Sequence, residues 1–185
     1  GTNWSALGST VALNAPVNAL AVKSNFVYVG GDFLNAGGVS AADYVAKFNT
    51  TLNTWSALGS NGLPNNGSLN SSVYALALQG NYLYAGGAFT NVNNNGSVFP
   101  QADYIARWDL TSSEWLPVGN GLSPALSNTV YALLPSKLNT TDVYVGGSFI
   151  NVTDNFSAIP QADYIAKWNG ANWSAIGDNG AGDGV

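Results

Sequence analysis

One pattern recurs along this chain, and it restricts the fold more than any other feature of the sequence. Trp-Ser-Ala-Leu-Gly stands at Trp4 to Gly8 and again at Trp55 to Gly59, with variants at Trp115 to Gly119 and Trp173 to Gly177. Between these markers Val17-Asn-Ala-Leu-Ala-Val22 returns at Val73 to Leu78 and at Val130 to Leu134. Tyr28-Val-Gly-Gly31 returns at Tyr84 to Gly87 and Tyr144 to Gly147, and Ala42-Asp-Tyr-Val-Ala-Lys47 at Ala102 to Arg107 and Ala162 to Lys167. The Asp of that last segment falls at 43, 103 and 163. A regular internal repeat of this length means stacked copies of one supersecondary unit, each burying the apolar face that its neighbour cannot bury alone.

Each repeat holds four short segments rich in β-branched and aromatic residues, set apart by Gly, Asn, Ser and Pro clusters, which read as four strands. No segment carries a 3.6-residue apolar period, so no helix is expected. Tyr28 with Val29, or Tyr104 with Ile105 and Ala106, are apolar on successive residues, as in a sheet covered on both faces. Small four-stranded sheets packed face to face are the blades of a β-propeller.

The sequence Leu83-Tyr-Ala-Gly-Gly87, a following strand that ends in Arg107-Trp108-Asp109, and Glu114-Trp115 after a polar turn resemble the kelch blade pattern. In that family a Gly-Gly closes the second strand and a Trp opens the fourth. The chain is similar as well to the longer extracellular propeller repeats of kelch and galactose-oxidase central-domain type found in cell-surface proteins, and the likeness covers the whole chain. It implies an all-β propeller-type repeat: three four-stranded antiparallel blades, at about 17–59, 73–119 and 130–177, plus one extra N-terminal strand. Residues 1–8 would be the outer strand of a preceding blade and 178–185 the connection to a following repeat. Three blades are too few for a closed ring, which takes about four to eight. Opening and stopping in mid-repeat, the chain reads as an excerpt of a longer array, completed by copies of itself or by further repeats of the same chain, with an open, polymeric outcome favoured.

Composition narrows the chemistry. The 185 residues contain no Cys, His or Met, and only 8% are charged. Disulfides, thiolate or imidazole catalysis and Cys/His zinc sites are therefore excluded. Copper chemistry of galactose-oxidase type lacks its His ligands and its Cys cross-link. A sialidase-like site needs clustered arginines, and Arg107 is alone. A glycosidase needs two facing carboxylates, and Glu114 is expected in a turn away from the long loops. No enzyme activity and no cofactor are expected. Five scattered basic residues against ten acidic ones leave a formal charge of −5, which gives no footprint for nucleic acid. No apolar run is long enough to span a membrane as a helix, so no membrane insertion is expected.

Three sets of residues are candidates for a site. Phe33, Phe89 and Phe149 follow each Gly-Gly at the start of long loops; they either anchor those loops or form part of a ligand face. Asp43, Asp103 and Asp163 either cap the turn entering the third strand by accepting backbone N–H bonds or each offer an oxygen to calcium, although nothing nearby supplies the other oxygens a calcium ion requires. No metal site is expected. Lys47, Arg107 and Lys167, four residues further on, read as solvated or inter-blade charges. The third set is the strongest chemical signal. Asn-x-Ser/Thr occurs nine times, at Asn3, Asn49, Asn66, Asn70, Asn95, Asn139, Asn151, Asn155 and Asn172, where 24 Asn and 29 Ser/Thr would give about four by chance. All nine fall in or beside expected connections, and covalent glycans there would supply the hydration that a chain so poor in charge lacks.

These features point to a non-enzymatic, extracellular, glycosylated structural protein, a propeller building block of a surface coat, sheath or fibre. The alternative is a carbohydrate- or protein-binding adhesin or receptor propeller that uses its long-loop face.

Overall fold

The computed structural model describes residues 3, 5–8 and 13–177. Three four-stranded antiparallel sheets lie at the positions the repeats predict. The first contains β1 (Val17–Lys23), β2 (Phe26–Gly31), β3 (Val45–Asn49) and β4 (Thr54–Ala57), side by side in that order. In the second, β5 (Val73–Gln79) and β6 (Tyr82–Gly87) are followed by a separate small hairpin, β7 (Val92–Asn94) with β8 (Ser97–Phe99), before β9 (Ile105–Asp109) and β10 (Glu114–Pro117) complete the sheet. The third repeats that plan with β11 (Val130–Pro135), β12 (Val143–Gly147), the hairpin β13 (Val152–Asp154) with β14 (Ser157–Ile159), then β15 (Ile165–Trp168) and β16 (Trp173–Ala175). Every pairing joins strands of one repeat, and apart from the hairpins inserted between β6 and β9 and between β12 and β15 the paired strands follow one another in sequence, so each sheet is an up-and-down meander. A 3-10 turn at Ala36–Gly38 is the sole helical element among the described residues, and it takes the place of the hairpin in the shorter first repeat.

The sheets stack face to face with their first strands adjacent: β5 lies between β1 and β11. Each sheet has a front, toward the preceding sheet, and a back, toward the following one. Tyr28 and Val45 on the back of the first sheet form one core with Val73, Leu83, Ala85 and Trp115 on the front of the second. Tyr84 and Ile105 on the back of the second do the same with Val130, Val143 and Val145 of the third. Such two-sided burial explains the poor alternation of these strands.

The repeated Gly-Gly has two separate steric causes. A Cβ on the second glycine, Gly31, Gly87 or Gly147, would run into the carbonyl oxygen of Pro16, Ser72 or Thr129, where the chain enters the first strand of the sheet. That same oxygen accepts the N–H of Asp32, Ala88 or Ser148 at 2.9–3.0 Å, so it cannot retreat. The first glycine admits a side chain from the next sheet. A Cβ on Gly30 would lie 2.5 Å from Cγ1 of Val73, and one on Gly86 would collide with Val130 in the same way. A register shift beside each of these valines, at Val17/Ala19, Val73/Ala75 and Val130/Ala132, recurs in all three sheets.

Two details depart from the sequence reading. The hairpins β7–β8 and β13–β14 add four strands to the thirteen that the repeats imply. The expected outer strand at residues 1–8 is absent among the described residues: Trp4 lies outside them, and Ser5 to Gly8 are not extended into any sheet. Gly8 instead lies against the indole of Trp55, where a preceding repeat would place its own Leu-Gly. The proposed connection at 178–185 lies outside the described residues.

Candidate functional site

The segment that closes each loop is built from a backbone conformation no sequence pattern announces. Tyr44, Tyr104 and Tyr164 are left-handed, with φ of 60°, 64° and 60°. For a bulky residue this costs on the order of 1–2 kcal/mol. Three hydrogen bonds hold it in place: the tyrosine N–H donates to the carbonyl of Phe33, Phe89 or Phe149 at 2.8–2.9 Å, and its own carbonyl accepts from Gly31, Gly87 or Gly147 at 2.9 Å. The N–H one residue on, of Val45, Ile105 or Ile165, donates to the carbonyl of the preceding Asp. Tyr44 and Tyr104 are partly buried beneath the next sheet, whereas Tyr164 on the last sheet is 55% exposed.

The three Asp side chains serve the same joint. Oδ1 of Asp43, Asp103 and Asp163 accepts the N–H of Asn35, Asn91 and Asn151 at 2.8, 2.6 and 2.6 Å, each of those asparagines being itself left-handed. This is the capping role, carried across the loop rather than along the strand. Asp43 spends its second oxygen too, on the N–H of Gly67 at 3.0 Å. Among the described residues no three Asp, Glu, His or Cys side chains converge as metal ligands. Phe33, Phe89 and Phe149 have no exposed surface. They anchor the loops in the cores and offer no ring to a ligand.

The basic residues differ from one another. Arg107 stacks 4.6 Å over the Tyr82 ring and 6.0 Å from the Trp168 ring, bridging the second and third sheets. Lys47 lies over Phe26, and Lys167 pairs with Asp142 at 3.5 Å. Burial pushes the Tyr84 hydroxyl above its ordinary value, with the Arg107 guanidinium partly offsetting it, and burial alone pushes up Tyr28.

A further chain of contacts ties the sheets at their outer edges. Trp115 Nε1 donates to the carbonyl of Leu58 at 2.7 Å and Trp173 Nε1 to that of Val118 at 3.2 Å. Trp115 and Trp173 thus each bind the marker of the preceding repeat, while the indole N–H of Trp55 finds no acceptor among the described residues. At the opposite ends of the first strands Lys23 donates to the Gly80 carbonyl, and the buried Gln79 amide donates to the carbonyls of Ser136, Asn139 and Asp142. Arg107, Trp115 and Trp173 are thus used to join neighbouring sheets, whereas Lys47, Lys167, Asp103 and Asp163 find their partners within their own repeats.

A cleft of about 460 Å³ lies between the loops of the first two sheets, lined chiefly by amides, including Asn35, Asn61, Asn66 and Asn70, with Tyr44 and Asp43. Its one carboxylate is already bonded to two N–H groups, so the cleft holds no free base. It can exchange hydrogen bonds with hydroxyl or amide groups. Asn66 and Asn70, both sequon residues, lie in its wall.

Eight of the nine sequon asparagines are exposed and Asn49 is half-buried at the end of β3. Asn95 and Asn155 occupy the tips of the two extra hairpins, with φ of 51° and 46°. Six of the nine side chains are engaged: Asn49, Asn95 and Asn139 accept through Oδ1, Asn70 Nδ2 donates to Thr90 Oγ1, and Asn155 Nδ2 donates both to Asp154 and to Oδ1 of Asn172, which joins two sequons at 3.1 Å.

A sheet stack with its first strands gathered together and tryptophans linking its rim is propeller architecture, and comparison with known proteins agrees. The family of Rax2 C-terminal beta propeller domains matches residues 5–184. The chain belongs to that family. The membership supports the propeller part of the sequence resemblance and does not reach the kelch or galactose-oxidase subtype. A search of curated proteins finds no significant match. Among solved structures, the computationally designed Ika4 protein aligns over 90% of this Rax2-family chain and 99% of its own, at 16% identity and a TM-score of 0.36. The computationally designed Ika8 protein aligns over 89% of the chain and 62% of its own, at 15% identity and a TM-score of 0.32.

Proposed function

We propose that this Rax2-family propeller segment is a non-enzymatic, extracellular, glycosylated structural module, a building block of a surface coat, sheath or fibre. Its blades form a rigid scaffold, covalent glycans form its exterior, and its partners are further repeats or copies of itself. The observation that carries this reading is the placement of the sequons: eight exposed asparagines distributed over loops, turns and hairpin tips, around cores that use the Asp, Arg and Trp side chains for packing. A chain with 8% charged residues gains from sugar the hydration that Lys and Glu normally provide. The absence of Cys fits a structure that depends on packing alone.

The intact mass of this 185-residue segment, secreted from a host that adds N-glycans, before and after endoglycosidase treatment tests the proposal. A fall to the sequence value of 19.1 kDa is expected, and secreted segment already at that mass before treatment would remove it. The amide-lined cleft favours a second reading, a carbohydrate- or protein-binding propeller. The two separate at Asn66 and Asn70: glycans there fill the cleft, whereas a binding module leaves both bare and loses ligand when either is changed to Gln.

A further inference from the structure

The uncovered front of the first sheet and back of the third resemble the two halves of an interface that the chain already makes twice. On the back of the third sheet Gly146 stands where Gly30 and Gly86 stand in the others, yet a Cβ on it would meet only Ala132 Cβ at 3.6 Å and the Tyr164 carbonyl at 3.9 Å. The notch that Val73 and Val130 fill elsewhere is empty there. Leu134 is 64% exposed where its counterpart Ala77 is 3%. On the front of the first sheet Val17, Leu20 and Val22 are 42, 63 and 65% exposed, although Val73 and Val130, the counterparts of Val17, are fully buried. One end lacks a valine and the other lacks a notch to receive it.

We infer that the front of the first sheet of one copy docks on the back of the third sheet of a second copy, seating Val17 against Gly146. The inference rests on the proposed structural role and adds its contact residues. The template is the pair of internal interfaces, which join a Val-Leu front to a Gly-Tyr back in the same register. The contact is heterologous, with a different face on each partner, and so propagates from copy to copy until a ring closes or a fibre grows. Lys167 occupies the place of Arg107, and the place of Trp168, over which Arg107 lies, belongs in the docking copy to Phe48. Leu7 and Gly8 cover the Trp55 end of the front face; the partner's Ile176 and Gly177, carrying the same Trp-Ser-Ala-apolar-Gly motif, replace them there.

The test uses the 185-residue chain made in a host that adds no N-glycans, so that its outcome does not depend on the sugars. A front-blocked variant carries Leu20→Glu with Val22→Glu, both on exposed strand positions. A back-blocked variant carries Gly146→Val, whose Cβ meets its own sheet only at ordinary van der Waals distance while the branched side chain fills the notch. Sedimentation should show the unmodified chain gaining mass with concentration, each variant alone remaining a monomer, and an equimolar mixture of the two forming a species of two chains and nothing larger. At least a tenfold weakening is expected for each blocked face against itself. Three results overturn the inference: an unmodified chain that stays at 19.1 kDa up to the highest concentration reached, variants that associate alone as well as the unmodified chain does, or a mixture that remains monomeric. The first of these leaves the glycan proposal intact, because that proposal is read from mass alone.

Discussion

Replacing the glycines of the repeated pair by alanine, one at a time, should give three different answers from one chemical change. In strands, Gly→Ala gains roughly 0.5–1 kcal/mol, because glycine loses more conformational freedom on folding. At Gly146 that gain is unopposed, since the nearest atom to the new Cβ is 3.6 Å away; the melting temperature of the dilute chain should rise by about 1–4 °C, at ~2–4 °C per kcal/mol for a protein of this size. At Gly86 the new Cβ lies 3.1 Å from Cβ of Val130 and nearer still to its Cγ1. Overpacking of this kind costs roughly 1–3 kcal/mol, so the net effect is a loss of up to about 2 kcal/mol and a fall of several degrees. At Gly87 the obstacle is the Ser72 carbonyl, already bonded to Ala88 N–H. Backbone cannot rotate aside as a valine can, and the loss should exceed that at Gly86. Urea denaturation and calorimetry on unglycosylated chain at low micromolar concentration read all three. Equal effects at Gly86 and Gly146 would refute the argument, because they would show that Gly86 is not shaped by the sheet that follows it.

Peptide mapping of native protein should find glycan at Asn66, Asn95, Asn139 and Asn151 more fully than at Asn70 or Asn155, whose amide nitrogens are engaged; preferential occupancy of the engaged pair would contradict the accessibility argument. Asp103→Ala removes the acceptor for Asn91 N–H and should cost about 1 kcal/mol, while a calcium chelator leaves the melting temperature of the parent unchanged; a fall on chelation would restore the metal reading. The buried phenols of Tyr28 and Tyr84 favour the neutral form in the folded state. Their contribution is therefore complete below the ordinary tyrosine value near pH 10 and is lost as pH rises through the raised folded values. Tyrosinate absorbance should accordingly show ionisation that continues above the ordinary tyrosine range, and ionisation complete near pH 10 in folded protein would be the contrary result.

What the sequence disclosed and what it hid divide along a physical line. Repetition, the β-branched and aromatic segments and the turn residues between them made the antiparallel sheets legible, because those depend on local pattern. The first extra hairpin was legible in principle: Asn95-Gly96 between β-branched and aromatic residues is a strong short-range hairpin signal, and surplus length of the second repeat falls there. The second turns at Asn155-Phe156, which carries no such signal. The left-handed tyrosines could not be read, since nothing in Asp-Tyr-Ile-Ala marks a positive φ; the conformation is imposed by hydrogen bonds to Phe89 and Gly87, which are distant in sequence. Nor could the opposite fates of chemically identical residues. Tyr104 and Tyr164 share their neighbours in sequence almost letter for letter, yet one lies partly beneath a following sheet and the other is open. Local sequence sets what a strand presents, and position in the stack sets what it meets. A candidate site sought among repeated residues was for that reason bound to resolve into scaffold, since a residue required by every interface appears once per repeat, whereas the amide-lined cleft arises from the loop between β4 and β5, whose Asn-Gly-Leu-Pro-Asn-Asn sequence occurs once.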